Sequence, residues 1–244
     1  MLPAITAEQF AQIVDRSHRG ACERGFWDQE RNFGEMVALV HSEISEAVEG
    51  LETPRADDHV LQYSNWQVEF ADMYIRAADM LGGFAAKYQP VGELLKLEVQ
   101  ALRPAEIVSR LAATTAYAAH QPDSWAEIEL LLEARYLIPP KQDVYSLPAH
   151  YDFVADRLFQ DLEDMTQDWL MLQLHRVLSH ILEGHRGEAT SSLDGSIALD
   201  LMVFMATVDA AYRAIVASRM PFYDVIDAKL NYNKSRPYKH GKKF

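Results

Sequence analysis

The sequence predicts an all-α protein, a helical bundle, on three observations. Apolar residues recur at three- and four-residue spacing in segment after segment, several of those segments open on capping signatures, and no stretch carries the alternating pattern of a half-buried strand. The first segment opens at Thr6, where Gln9 completes a capping box; Phe10, Ile13 and Val14 carry it on until Gly20 and Gly25 interrupt. Asn32 with Glu35 opens the second, in which Phe33, Met36, Val40, Ile44, Ala47, Val48 and Leu51 form one stripe that Pro54 ends. Ser64 with Gln67 opens the third, with Val68, Ala71, Ile75, Ala78 and Leu81 on one face and a stop offered by Gly82 and Gly83. Residues 1–88 are thus an N-terminal helical unit.

Six of the ten prolines lie between Pro90 and Pro148 and divide 89–148 into short helices, an insertion with segments at about 91–102, 105–119 and 124–137. Helical patterns resume over about 149–164, 167–183, 196–218 and 221–233, so 149–244 reads as a second helical half closed by a basic tail, the whole packing as one compact domain. Laying Leu39-Val40-His41 and Val48-Glu49-Gly50 on Gln173-Leu174-His175 and Leu182-Glu183-Gly184 gives a constant offset of 134. Glu43 and Glu46 then fall on Val177 and His180, and the next helix lacks acids in register with Glu69 and Asp72. Two readings of this echo stand: a duplication whose second copy lost its acids, or chance similarity between amphipathic helices.

Lys plus Arg total 23 and Asp plus Glu 36, so the net charge is 23 − 36 = −13, which repels polyanions and argues against stable nucleic-acid binding. One cysteine, Cys22, forms no internal disulfide, and neither a leader nor an apolar run of membrane-spanning length is visible. The expectation is a cytoplasmic protein without a membrane partner.

The chemistry is expected at four acids. Glu43 and Glu46 are three apart on the second helix and Glu69 and Asp72 three apart on the third, so each pair projects from adjacent points of one helical surface, at the edge of an apolar stripe. Were the helices antiparallel neighbours, four carboxylates would converge. Two carboxylates about 4 Å apart repel by about 4 kcal/mol at an effective dielectric near 20. A solvated face or a salt-bridge network would be the alternative. Yet five acids and no Lys or Arg lie between Asn32 and Pro54, so local cations are not expected to neutralise them. A hard divalent cation is: Mg²⁺, with Mn²⁺ as a substitute, takes oxygen ligands and leaves positions for phosphate. A di-iron bundle would need Glu-x-x-His pairs, which these helices lack.

From Lys229 to Phe244 there are six cationic side chains and no acid, interleaved with Asn231, Asn233, Pro237, Tyr238 and Gly241. A disordered solubility tail or an RNA-binding arm is the plain reading of a generic basic C-terminus, but this interleaving suits a segment that clamps phosphate oxygens. Trp27 and Asn32, between the first two helices, are candidates for reading a base by stacking and amide hydrogen bonds, though an aromatic there is more often core.

HSEISEAVEG at 41–50, VEFADMYIRAADMLG at 68–82 and KLNYNKSRPYKHGKKF at 229–244 together resemble the MazG-like all-alpha NTP pyrophosphohydrolase superfamily. The resemblance implies a four-helix core binding Mg²⁺ through Glu43, Glu46, Glu69 and Asp72, with Lys229 and Asn233 reaching the phosphates and Arg236, His240 and Lys242 extending that clamp. It implies an enzyme of nucleotide-pool control that cuts a nucleoside triphosphate substrate to monophosphate and pyrophosphate, acting as a homodimer or as a monomer built like a fused pseudo-dimer. More than a hundred residues separate the third helix from the tail, unlike the compact members. The dimeric all-alpha dUTPases, which are similar in chain length and tail, leave a dUTP specialist open. A nucleotide-sensing module that binds without cutting is the reading from a different class.

Overall fold

Thr6 caps the first helix as its sequence requires: its hydroxyl accepts from the Gln9 amide at 3.2 Å while the Gln9 side chain accepts from the Thr6 amide at 2.9 Å. Such a cap contributes about 1 kcal/mol. The computed structural model describes residues 2–87, 162, 164–187, 193–216 and 220–238. Among these residues the regular elements are all helices: α1 Ala7–Glu23, α2 Phe33–Glu52, α3 Asn65–Lys87, α4 Gln167–Gly187, α5 Leu193–Ile215 and α6 Phe222–Lys234. The expected insertion at 89–148, and the 149–164 helix apart from Leu162 and Asp164, lie outside the described residues. No described helix is long and apolar enough to cross a membrane.

Two expected breaks are corrected. Helix α1 runs through Gly20 and ends beyond it, where Gly25 adopts φ 79°, a left-handed conformation that glycine takes without a steric penalty. Helix α3 continues through Gly82 and Gly83 to Lys87. A Cβ at Gly82 would run into the His18 side chain, and one at Gly83 into the Trp27 indole. These glycines serve close approach of α3 to α1 and its following loop.

Helix α3 sits at the centre, packed against α1, α2, α5 and α6, while α4 leans on α2 and α5. One apolar core runs through both halves of the chain. At its middle Phe70 and Tyr74 of α3 meet Tyr212 of α5 and Phe222 of α6, all fully buried, with Tyr212 stacked on Phe222 at 4.3 Å. Burying a phenylalanine contributes about 1.5–3 kcal/mol, so these rings tie α3, α5 and α6 firmly. The one polar atom of Tyr212 is satisfied there by the Gln67 amide at 3.1 Å.

The 134-residue echo has a spatial counterpart. Helices α2 and α4 begin at 33 and 167, and 167 − 33 = 134. His41 and His175, also 134 apart, stack on one another with Nδ1 atoms 2.8 Å from each other. Ser45 donates to the His41 carbonyl as Ser179 does to that of His175. Two residues that the offset pairs thus touch one another where α2 and α4 pack. Burial depresses the pKa of both imidazoles, keeping the rings neutral so that one donates and the other accepts.

Candidate metal centre

Helices α2 and α3 are joined by the short loop 53–64 and therefore pack as neighbours, which turns two separate acid pairs into one cluster. Close approach at the loop end is permitted by Gly50, where a Cβ would meet the Trp66 backbone nitrogen at 2.9 Å. Glu43, in line with buried Val40, Ile44 and Ala47, is carried inward and is only 5% exposed. Glu69 and Asp72 come from the facing side of α3. One carboxylate oxygen from each of Glu43, Glu69 and Asp72 lies within 4.8 Å of the other two, so these three acids converge as the spacing predicts. Glu46 lines the same cleft from a more exposed position, outside the tight group, and accepts a 2.8 Å bond from Ser42. The cleft measures about 390 Å³.

The expectation that no local cation neutralises the acids is corrected. Arg76 pairs with Glu43 at 2.5 Å and Lys229 with Asp72 at 2.7 Å. Both cations come from outside 32–54, brought in by packing. Arg76 is one turn beyond Asp72 on the same face of α3, a signal the sequence did carry. Lys229 reaches Asp72 because α6 crosses α3, a contact no local pattern encodes.

Even so, the acids are strained as anions. Burial raises the Glu43 carboxyl against the pull of Arg76, and raises Asp72 against that of Lys229. Glu69 is pushed up to about 9, first by burial, then by its hydrogen bond to Glu43 and the charge of Asp72. It therefore holds a proton at neutral pH. Burial works against the Lys229 ammonium, but Asp72 outweighs it and lifts the group above its usual value. The cluster is thus two ion pairs and a shared carboxyl–carboxylate proton, with hard oxygen donors in a cleft open to solvent. That donor set, carboxylate oxygens with no soft ligand, is of the kind that could hold a hard divalent cation.

The tail residues divide. Asn233, one turn past Lys229, is 8% exposed; its side-chain oxygen has no partner among the described residues, and its carbonyl accepts from Arg24 at 3.2 Å. Arg236 lies 6.0 Å over the Tyr232 ring. Tyr238 packs over Gly25 and hydrogen-bonds Asp28, docking the start of the tail on the α1–α2 loop. His240 and Lys242 fall outside the described residues.

The two base-pocket candidates are placed differently from the acids. Asn32 caps α2, accepting from the Glu35 amide at 3.2 Å. Trp27 donates its indole N–H to Asp79 at 2.8 Å and packs on Gly83, with Arg31 and His18 also on Asp79. Neither lines the acidic cleft. Residues that do, and that the sequence pattern did not single out, include Arg55, Asp57 and His59 in the loop, where no periodicity exists to flag them. Compared with known proteins, the chain matches no family model, no curated protein and no solved structure.

Proposed function

We propose that this cleft is the active site of a divalent-metal-dependent nucleoside triphosphate pyrophosphohydrolase, producing monophosphate and pyrophosphate. The observation that carries the reading is the convergence of Glu43, Glu69 and Asp72 within 4.8 Å, with Lys229 from the C-terminal helix at the same place. Counting every acid as ionised, the lining carries seven acids against Arg55, Arg76 and Lys229, a formal charge of 3 − 7 = −4. A polyphosphate enters such a cleft only after divalent ions reverse that sign.

Bound Mg²⁺ would supply Lewis acidity and a water of lowered pKa to attack phosphorus. The chain's own residues do the rest. Glu43, Glu69 and Asp72 would hold the ions, Glu46 at the rim would complete the set, and Lys229 and Arg76 would leave their carboxylates to meet phosphate charge. The resemblance to MazG-like enzymes supports this reading; a dUTP specialist is the narrower form of it. The two ion pairs favour a second reading, a structural acid cluster in a binding or scaffold protein.

Incubation with each ribo- and deoxynucleoside triphosphate and Mg²⁺, following monophosphate and pyrophosphate, separates the readings and identifies the base. Turnover that disappears in Glu46→Ala and Glu69→Gln while circular dichroism stays helical is the expected outcome. A folded protein that releases no pyrophosphate from any nucleotide and binds no Mn²⁺ rejects it in favour of the scaffold.

A further inference from the structure

The loop between α2 and α3 is built as firmly as the helices it joins. Asp57 folds its carboxylate back to accept from the amides of His59 at 2.9 Å and Val60 at 2.7 Å, and its own amide donates to the Tyr63 carbonyl. Asn65 clasps Arg55 from both sides, the Asn65 amide donating to the Arg55 carbonyl at 2.8 Å and the Asn65 side chain accepting from the Arg55 amide at 3.2 Å. Val60 anchors the middle in the core at 4% exposure. Asp57 and Asn65 thereby stand in for regular structure in an exposed connection.

On the cleft this scaffold places Arg55 and the imidazole of His59, beside Asp57 and Asp58. Arg55 and His59 both line the acidic cleft, as Lys229 does. The His59 ring is stacked on Tyr232 of α6 at 4.8 Å with an interplanar angle of 10°, which fixes the imidazole plane and leaves its two nitrogens with no hydrogen-bond partner among the described residues. Lys229 and Arg236 lie over the same Tyr232 ring at 5.8 and 6.0 Å. Three donors, from the loop, α6 and the residues just after it, are thus gathered about one phenol ring, and two of them, His59 and Lys229, line the acidic cleft. Among the described residues the Arg55 guanidinium pairs with Asp58, at 3.3 and 3.4 Å and well exposed, an interaction worth so little that a phosphate displaces it easily.

We propose that the α2–α3 loop is a preformed phosphate-binding lip, in which His59 and Arg55 hold the phosphates lying beyond the metal-ligating acids. The ligand class is a pyrophosphate or polyphosphate group already complexed with a divalent ion. The inference rests on the reading of the cleft given above and assigns it a second set of contacts, on the α2–α3 loop where His59 packs against α6. Stacking and the Asp57 turn hold the loop in place before the ligand arrives, so little ordering entropy is lost on binding.

The test is calorimetric titration in two stages, Mn²⁺ into the full chain and then inorganic pyrophosphate into the Mn²⁺-loaded protein. The variants are His59→Phe, which keeps the stack on Tyr232 and removes the ring nitrogens, and Arg55→Met. Unchanged Mn²⁺ affinity with pyrophosphate binding weakened roughly tenfold in each variant is expected for the loss of one charge-assisted contact. Mn²⁺ and pyrophosphate binding as tight in both variants as in the parent overturns the lip and leaves the metal site standing. A parent protein that binds no Mn²⁺ overturns the cleft reading and the lip together.

Discussion

Replacing Lys229 by Met tests the electrostatic account of the cleft most directly. The apolar stem of the side chain is kept, and only the ammonium is lost, leaving Asp72 without its 2.7 Å partner. The side chains are 8% and 18% exposed for Lys229 and Asp72, so the pair is largely withdrawn from water. Removing one member of a fully buried pair costs about 3–5 kcal/mol. Here Asp72 retains some contact with solvent and its pKa is already raised, so it escapes part of the penalty by protonating; about 2–3 kcal/mol is the expected loss. For a chain of this size that lowers the melting temperature by roughly 4–12 °C.

The assay is thermal unfolding of parent and variant with and without Mg²⁺. Without the metal the variant melts lower by the stated amount. With saturating Mg²⁺ the difference narrows, because the ion replaces the missing charge and no longer competes with Lys229 for Asp72. Asp72→Asn combined with Lys229→Met recovers most of the loss, since neither charge remains to be buried alone. A variant as stable as the parent, or one that Mg²⁺ stabilises no more than it stabilises the parent, would refute the reasoning.

Three further outcomes follow from the same geometry. Glu69→Gln mimics the protonated acid, so its metal-free melting temperature at neutral pH stays within a few degrees of the parent's, while Mn²⁺ titration shows binding weakened at least tenfold. Glu69 holds its proton to about pH 9 when folded and releases it near 4.5 when unfolded, so between those values the native state binds the extra proton. By linkage, this group's contribution to metal-free stability falls as pH rises through that window, and denaturant titration at several pH values with and without Mg²⁺ should show the ion flattening the slope. Gly83→Ala is the packing test: helix propensity alone would stabilise it by about 1 kcal/mol, whereas the collision with Trp27 predicts a net loss of about 1–3 kcal/mol by chemical denaturation, and a gain would mean the contact is not tight.

The helices were legible because each carries its own signals. Thr6 with Gln9 and Asn32 with Glu35 announce helix starts within four residues, and the stripe from Phe33 to Leu51 states which face is buried. The same local information put Glu43 and Glu69 beside apolar stripes, and hence in reach of each other once α2 and α3 are joined by a short loop. It misled at Gly82 and Gly83, since a glycine that ends a helix and one that admits a neighbouring indole are identical in sequence.

What the sequence by itself determined was the helical class and the pairing of acids three apart, both consequences of a 3.6-residue period that is fixed locally. Tertiary packing alone decided the cleft's charge balance: Lys229 is 157 residues from Asp72, His59 is 173 from Tyr232, and neither contact leaves a trace in spacing. It also decided that Trp27 spends its indole N–H on Asp79, 52 residues away. Contacts of that separation depend on which faces of α3 the other helices bury, and that is settled by the fit of the whole core.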